Sequence, residues 1–193
     1  MQFRSTPLEG AVIVEVEPQR DVRGYFARTW CSVEFAAAGL ANILVQASMS
    51  RNQRRGTVRG MHMQLPPSAE AKLVRCAQGS IHDVIVDLRP RSPTYLRNFS
   101  VELTARVSNA LYIPPLMAHG FQTLEDDTDV LYCMSDVYSP ELAVGFRWND
   151  SAFQIDWPIC GGVTIIPRDR DYPDFDQTTY LARLHAAGAA GES

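Results

Sequence analysis

The chain carries four histidines, at 62, 82, 119 and 185, and two of them lie in glycine-flanked segments, VRGMHMQ (58–64) and MAHGF (117–121). A glycine beside a strand histidine lets another backbone or a ligand come close. Imidazole is also the side chain best suited to moving a proton near neutral pH. Metal chemistry fits the pattern poorly. A metal-binding β-sandwich would need a second histidine two positions after His62, then a carboxylate. Position 64 is Gln64, and the next carboxylate downstream is Glu70. The expectation is no metal site. His82, ahead of an apolar run, and His185, near the C-terminus, read as solvated or packed side chains.

Basic groups surround the first histidine in sequence. Arg59 lies three residues before it, Lys72 and Arg75 flank the next apolar run, and Arg23 begins RGYF. Two readings stand side by side: a solvated basic face, or a clamp in which guanidinium donors meet phosphate oxygens in pairs. Spacing alone does not favour the clamp. The four cysteines, at 31, 76, 133 and 160, form no C-x-x-C pair or short-spaced Cys/His cluster, and read as reduced thiols, mostly buried.

The elements that must position these residues are mostly strands. Short runs rich in Val, Ile, Leu, Tyr and Phe recur from about 11 to 160: AVIVEV, GYFARTW, ILVQAS, KLVRCAQ, HDVIVDL, NFSVEL, ALYIPP, GFQTL and DVLYCM. Many alternate apolar and polar residues, and turn chemistry such as RSP, QGS and EDDTD separates them. That is the pattern of an antiparallel sandwich or barrel. Helical signals are few. SVEFAAAGL (32–40) begins with a candidate Ser32 cap and ends at Gly39. TTYLARLHAAGAA (178–190) reads as a C-terminal helix that frays in GAAGES. Between 165 and 177, IIPRDRDYPDFDQ reads as an ordered loop with no regular element. The expected division is a β domain over 1–176, followed by the helix and tail over 177–193.

With 193 residues, 46% of them hydrophobic, the chain is long enough for one sizeable core and too apolar for disorder. No apolar run spans a bilayer, and MQFRSTPLEG has no apolar signal region, so the expectation is a cytoplasmic protein without a membrane partner. A net charge of −4 and no long Lys/Arg block make nucleic acid an unexpected partner. A small anionic ligand met by a few converging arginines is compatible with that balance.

In order along the chain come DVRGYFARTW, VRGMHMQLPP, AKLVRC, IHDVIVDLRPRSPTY, LYIPPLMAHGFQTL, VLYCMSDVYSP, GFRWND and IDWP. This run, over about residues 10–175, resembles the dTDP-4-dehydrorhamnose 3,5-epimerases and their nucleotide-sugar relatives. The resemblance implies an all-β, cupin-type jelly roll (an antiparallel β-sandwich) with a few short helices and the C-terminal helix. It implies no cofactor and a homodimer. It also implies a nucleotide-diphosphate 4-keto-6-deoxyhexose substrate, inverted at C3, C5 or both. Such chemistry removes a proton beside a ketone, stabilises the enolate and returns a proton on the opposite face. The match puts the base at His62, its orienting carboxylate at Asp169, the opposite-face acid at Tyr132 and the enolate stabiliser at Lys72. Asp171, two positions on, remains an alternative to Asp169. For the substrate it implies Arg23 and Arg59 at or near the diphosphate and Phe26 beside the nucleotide. Gln46, His119 and Tyr138 line the pocket, with Arg23 and Phe26 reaching into a partner's.

The chain departs from the family pattern around the pocket rim. QASMS puts Ser48 where Asn is usual, and SPTYLRNF and IPPLMAHGF differ from the usual runs. Arg28 replaces a usual Glu. A guanidinium only donates, which suits cytosine or guanine acceptors better than the thymine N3–H. Alternatives therefore remain: a single-centre epimerase on a CDP- or GDP-linked sugar, or a jelly roll that binds sugar nucleotides without catalysis.

Overall fold

The computed structural model describes residues 1–190. Thirteen strands and three helices follow one another: β1 (Gln2–Ser5), β2 (Val12–Glu15), β3 (Gln19–Asp21), β4 (Gly24–Phe26), α1 (Ser32–Ala37), β5 (Gln46–Asn52), β6 (Val58–Gln64), β7 (Lys72–Gln78), β8 (Ser80–Asp87), β9 (Asn98–Thr104), β10 (Ala110–Ile113), β11 (Met117–Thr123), β12 (Thr128–Met134), β13 (Ala143–Gly145), α2 (Pro167–Arg170) and α3 (Gln177–Ala190). One sheet has the order β1-β2-β10-β7-β12-β5 and the other β13-β6-β11-β8-β9. Their strands pair antiparallel throughout. The two sheets form the sandwich that the strand pattern suggests and the jelly roll that the resemblance implies.

Alternation explains the layers. The inner faces meet in a core that takes Ile13, Val74, Leu111 and Val130 from the six-stranded sheet and Ile81, Ile85, Leu103 and Phe121 from the other. The outer face of the six-stranded sheet is covered by α1, whose Phe35 packs on Val14, Leu73, Ala110 and Tyr112. On the outer face of the five-stranded sheet, Met61, Met63, Val84 and Val86 pack with Phe153, Trp157 and Tyr180 of α3. The Tyr180 hydroxyl also donates to the Leu88 carbonyl at 2.7 Å, tying α3 to the end of β8.

Several expectations need correction. Residues 165–177 do contain a regular element, the single turn α2. Pro167 stands at its start, where a missing N–H costs nothing and the fixed φ already suits a helix. Ser32 does not cap α1; Cys31 is the cap residue and makes no side-chain cap bond. ILVQAS becomes a strand only from Gln46, with Ile43 and Val45 exposed ahead of it. GYFARTW is strand only over β4. His82 lies within β8, half-buried against Trp157. All four cysteines are free, but only Cys76 is buried; Cys31 and Cys133 are half-buried and Cys160 is exposed. The tail fraying falls partly on residues 191–193, outside the described residues.

Candidate active site

His62 sits on β6 between β11 and β13, paired with His119 on one side and Gly145 on the other. The flanking glycines serve a close approach of two backbones. A Cβ on Gly60 would lie 2.5 Å from the Gly120 Cα, and Gly60 has a φ of 124°. The next contact comes from far along the chain. His62 Nε2 lies 3.0 Å from Asp169 Oδ1. Because an ionised carboxylate only accepts, Nε2 carries the proton and Nδ1 is left as the free basic nitrogen. Asp169 is 2% exposed and also accepts from the Gly60 N–H and from Arg168 Nε. Burial pushes its carboxyl up, but the bonds from His62, Arg168 and Gly60 outweigh it and hold the group below its ordinary value. Asp171 instead pairs with Arg170, both exposed.

The opposite wall comes from the other sheet. Register across β5, β12 and β7 sets Gln46, Met134 and Lys72 in one row and Ser48, Tyr132 and Val74 in the next. With a period of two, both rows face the same side. Burial pushes the Tyr132 phenol well above its ordinary value, the Asp83 charge adds to this and Arg59 opposes it. Tyr132 is therefore held as a neutral O–H donor. Lys72 Nζ meets Glu70 at 3.0 Å, with its side chain only 14% exposed, a partner that spacing did not suggest.

These walls enclose a cavity of about 560 Å³ that His62, Lys72, Tyr132, Gln46, Ser48 and Tyr138 all line. The Tyr138 segment is pinned by Gln46, whose Oε1 accepts from the Tyr138 N–H at 3.0 Å. Gln64 holds the same segment through the Ser139 N–H and the Val137 carbonyl. Its amide is thus fully engaged where a metal-binding sandwich would place a ligand. Among the described residues, no three His, Cys, Asp or Glu gather as ion ligands.

Asp169 stands behind His62 rather than in the cavity wall, and five other singled-out residues do not line the cavity either. Arg23 and Phe26 lie on the exposed hairpin β3–β4, with Arg23 bonded to Asp21 at 2.6 Å. Arg28 donates to Glu34 at 2.6 Å, Arg59 to Asn52 at 2.8 Å, and His119 is bound to Asp83 at 2.7 Å. Conversely, sequence reasoning missed Arg168 and Tyr172, which do line it. The Tyr172 ring stands edge-on to His62, with centroids 6.4 Å apart. It occupies the space above Gly145, where a Cβ would fall 2.0 Å from the Tyr172 Cζ. The glycine of GFRW was the available signal.

The arrangement is a base with a fixed tautomer facing a neutral phenol and an ammonium across one cavity. The family model described as dTDP-4-dehydrorhamnose 3,5-epimerase matches residues 5–177. The chain belongs to that family. It is an isomerase of the epimerase class. A dTDP-4-dehydrorhamnose 3,5-epimerase of Sinorhizobium fredii is 37% identical over 177 residues, 90% of this chain and 89% of the relative. A dTDP-4-dehydrorhamnose 3-epimerase of Streptomyces niveus is 36% identical, covering 89% of this chain and 82% of its own. Among solved structures, a dTDP-6-deoxy-D-glucose-3,5-epimerase from Legionella pneumophila in complex with dTDP-4-keto-L-rhamnose superposes with a TM-score of 0.87. It is 30% identical and covers 95% of this chain and 96% of its own.

Proposed function

We propose that the chain epimerises a dTDP-linked 4-keto-6-deoxyhexose at C3 and C5, in deoxysugar biosynthesis. The observation that carries the reading is the His62–Asp169 pair opening onto a cavity whose far wall bears Tyr132 and Lys72. His62 Nδ1 takes the proton from the carbon beside the ketone, and the C–H electron pair becomes the enolate double bond. The charge moves to the C4 oxygen, where the Lys72 ammonium offsets it. Asp169 stabilises the imidazolium that forms. The Tyr132 hydroxyl then protonates the same carbon from the opposite face, and the ketone returns. Between turnovers His62 releases its extra proton to water and Tyr132 regains one.

The nucleotide half needs more than this cavity. Arg23 and Phe26, exposed on their hairpin, suit a homodimer in which each hairpin reaches the partner's cavity and meets diphosphate and base. Four free thiols and a nucleotide-sugar substrate fit a cytoplasmic enzyme. A single-centre reading stands second, because the Streptomyces niveus relative carries a 3-epimerase name at nearly the same identity.

The test is incubation with dTDP-4-keto-6-deoxyglucose in D₂O, followed by NMR. Deuterium at C3 and C5 with inversion at both supports the main reading. Inversion at one carbon supports the second. Binding of the sugar nucleotide without exchange at either carbon refutes both.

A further inference from the structure

His119 and Asp83 form a second histidine–aspartate pair, and the proton transfers described above do not use it. His119 Nε2 lies 2.7 Å from Asp83 Oδ1, with the two residues 4% and 0% exposed. The pair lies on the inner face of the five-stranded sheet: His119 on β11, Asp83 diagonally across on β8. Asp83 makes no other side-chain bond among the described residues, and its Oδ2 is buried without a partner. A buried carboxylate with one bonded partner is costly to keep, and a core needs only apolar side chains at such a place.

What the pair touches gives it a role. The His119 ring meets the Tyr132 ring edge-on, with centroids 5.9 Å apart and planes at 75°. Phe121, two residues on, closes the adjoining side at 6.4 Å. Tyr132 lines the cavity from the other sheet, and these two rings pack against its ring. His119 itself does not line the cavity. The two sides of the site are thus built alike: a proton-carrying group at the cavity and a buried aspartate behind it, direct for His62 and through His119 for Tyr132.

We infer that His119, anchored by Asp83, is a positioning residue for Tyr132, and so governs protonation on the opposite face rather than proton removal or substrate binding. The inference rests on the acid role of Tyr132 proposed above. A phenol must meet the enolate carbon within hydrogen-bond reach and in line, and a small misplacement of such a group is expensive in rate. Asp83 fixes the imidazole, the imidazole edge fixes the phenol ring, and the ring direction sets where the proton is delivered.

The two halves of the reaction give separate readouts. In D₂O, wash-in at the carbon beside the ketone needs only His62, whereas inversion also needs Tyr132. The ratio of inversion to wash-in is measured with dTDP-4-keto-6-deoxyglucose for wild type, Tyr132→Phe, His119→Asn and His119→Gln. Asn is too short to reach both Asp83 and the Tyr132 ring; Gln keeps an N–H near the place of Nε2. The ratio is internal to the folded fraction, so partial unfolding does not imitate the effect. The expected result is a ratio lowered about tenfold or more in His119→Asn, and returned at least halfway towards wild type in His119→Gln. A ratio unchanged in His119→Asn overturns the inference. So does a common fall of wash-in and inversion that disappears at high substrate, which makes His119 a binding residue. If Tyr132→Phe itself leaves the ratio unchanged, the acid role of Tyr132 fails instead.

Discussion

His62 and Arg23 are each held by an aspartate, yet the two contacts do different things. Asp169 is buried, reaches His62 from 107 positions away to fix its tautomer, and accepts two further bonds, from the Gly60 N–H and Arg168 Nε, that hold the carboxylate in place. Asp21 is two residues from Arg23 and exposed, and it holds the guanidinium only within its own hairpin. Phe26 beside it is 76% exposed. The cavity floor is over-determined by sheet register and buried partners. The hairpin is held mainly by its own pairing, with one distant contact from the Tyr25 hydroxyl to Ser108 at 2.6 Å, and it turns Phe26 and Arg23 outward. Under the proposed function, one chain assembles the groups for proton transfer by itself, while the nucleotide would be met by groups that this chain displays outward.

The largest effects belong on the floor. Asp169→Asn keeps the shape of the side chain but removes the acceptor charge that fixes Nε2–H, and turnover is expected to fall by roughly 10²–10⁴-fold, as for an orienting carboxylate in a catalytic triad. Steady-state rates at saturating substrate check it; an undiminished rate would make Asp169 a structural group. Gly145→Ala comes next. Its methyl meets the Tyr172 ring, which must leave its place beside His62. A destabilisation of about 1–3 kcal/mol in denaturant unfolding is expected for such overpacking, along with a slower turnover. Phe26→Ala is the counterpart on the hairpin. A stability change within about 0.5 kcal/mol is expected there, because the side chain packs on little, while substrate affinity falls. Loss of stability in that variant would show the hairpin to be part of the fold's own core.

Acid separates the regions too. Asp87, buried at the end of β8, is pushed up by burial but drawn down to about 2 by bonds from Arg89, Ser92 and Thr94. A carboxyl depressed in the folded state contributes stability above its unfolded value near 4, and that contribution is lost as pH falls through the folded value. Asp169 adds a term of the same sign. The thermal midpoint is expected to fall from about pH 4 towards pH 2, and Asp87→Asn to flatten the curve there. A midpoint indifferent to pH in that window would remove both carboxylates from the stability account.

Legibility in the sequence followed the same division. KLVRCAQ is β7 residue for residue, and DVLYCM falls within β12, because a short apolar-rich run bounded by turn residues is a strong local pattern even where, as in β7, both faces of the strand are buried. His62 stood out through its flanking glycines, and those glycines do mark a close backbone approach. Asp169 and Tyr132 drew attention only through family resemblance, since no local pattern distinguishes a buried loop aspartate from a solvated one, and Lys72 stood out before that only as one of several basic groups near His62. The turn of α2 was hidden by two prolines and dense charge, although Pro167 suits the first position of a helix. Tyr172 was missed because its seat is an absence, the missing side chain of Gly145 on a different element. The Lys72–Glu70 contact joins residues two apart, which share a face in extended backbone, but spacing alone does not say that the pair forms.

The most direct test sets the two regions against each other in one assay. Deuterium wash-in from D₂O into dTDP-4-keto-6-deoxyglucose is measured for wild type, His62→Ala and Arg23→Ala over a range of substrate up to saturation. At saturation Arg23→Ala is expected to return to within about threefold of wild type, its defect being one of affinity. His62→Ala is expected to stay slower by roughly 10²–10⁴-fold at every concentration. Near-wild-type wash-in by His62→Ala, or an Arg23→Ala rate that stays as low as that of His62→Ala at saturation, would contradict the account.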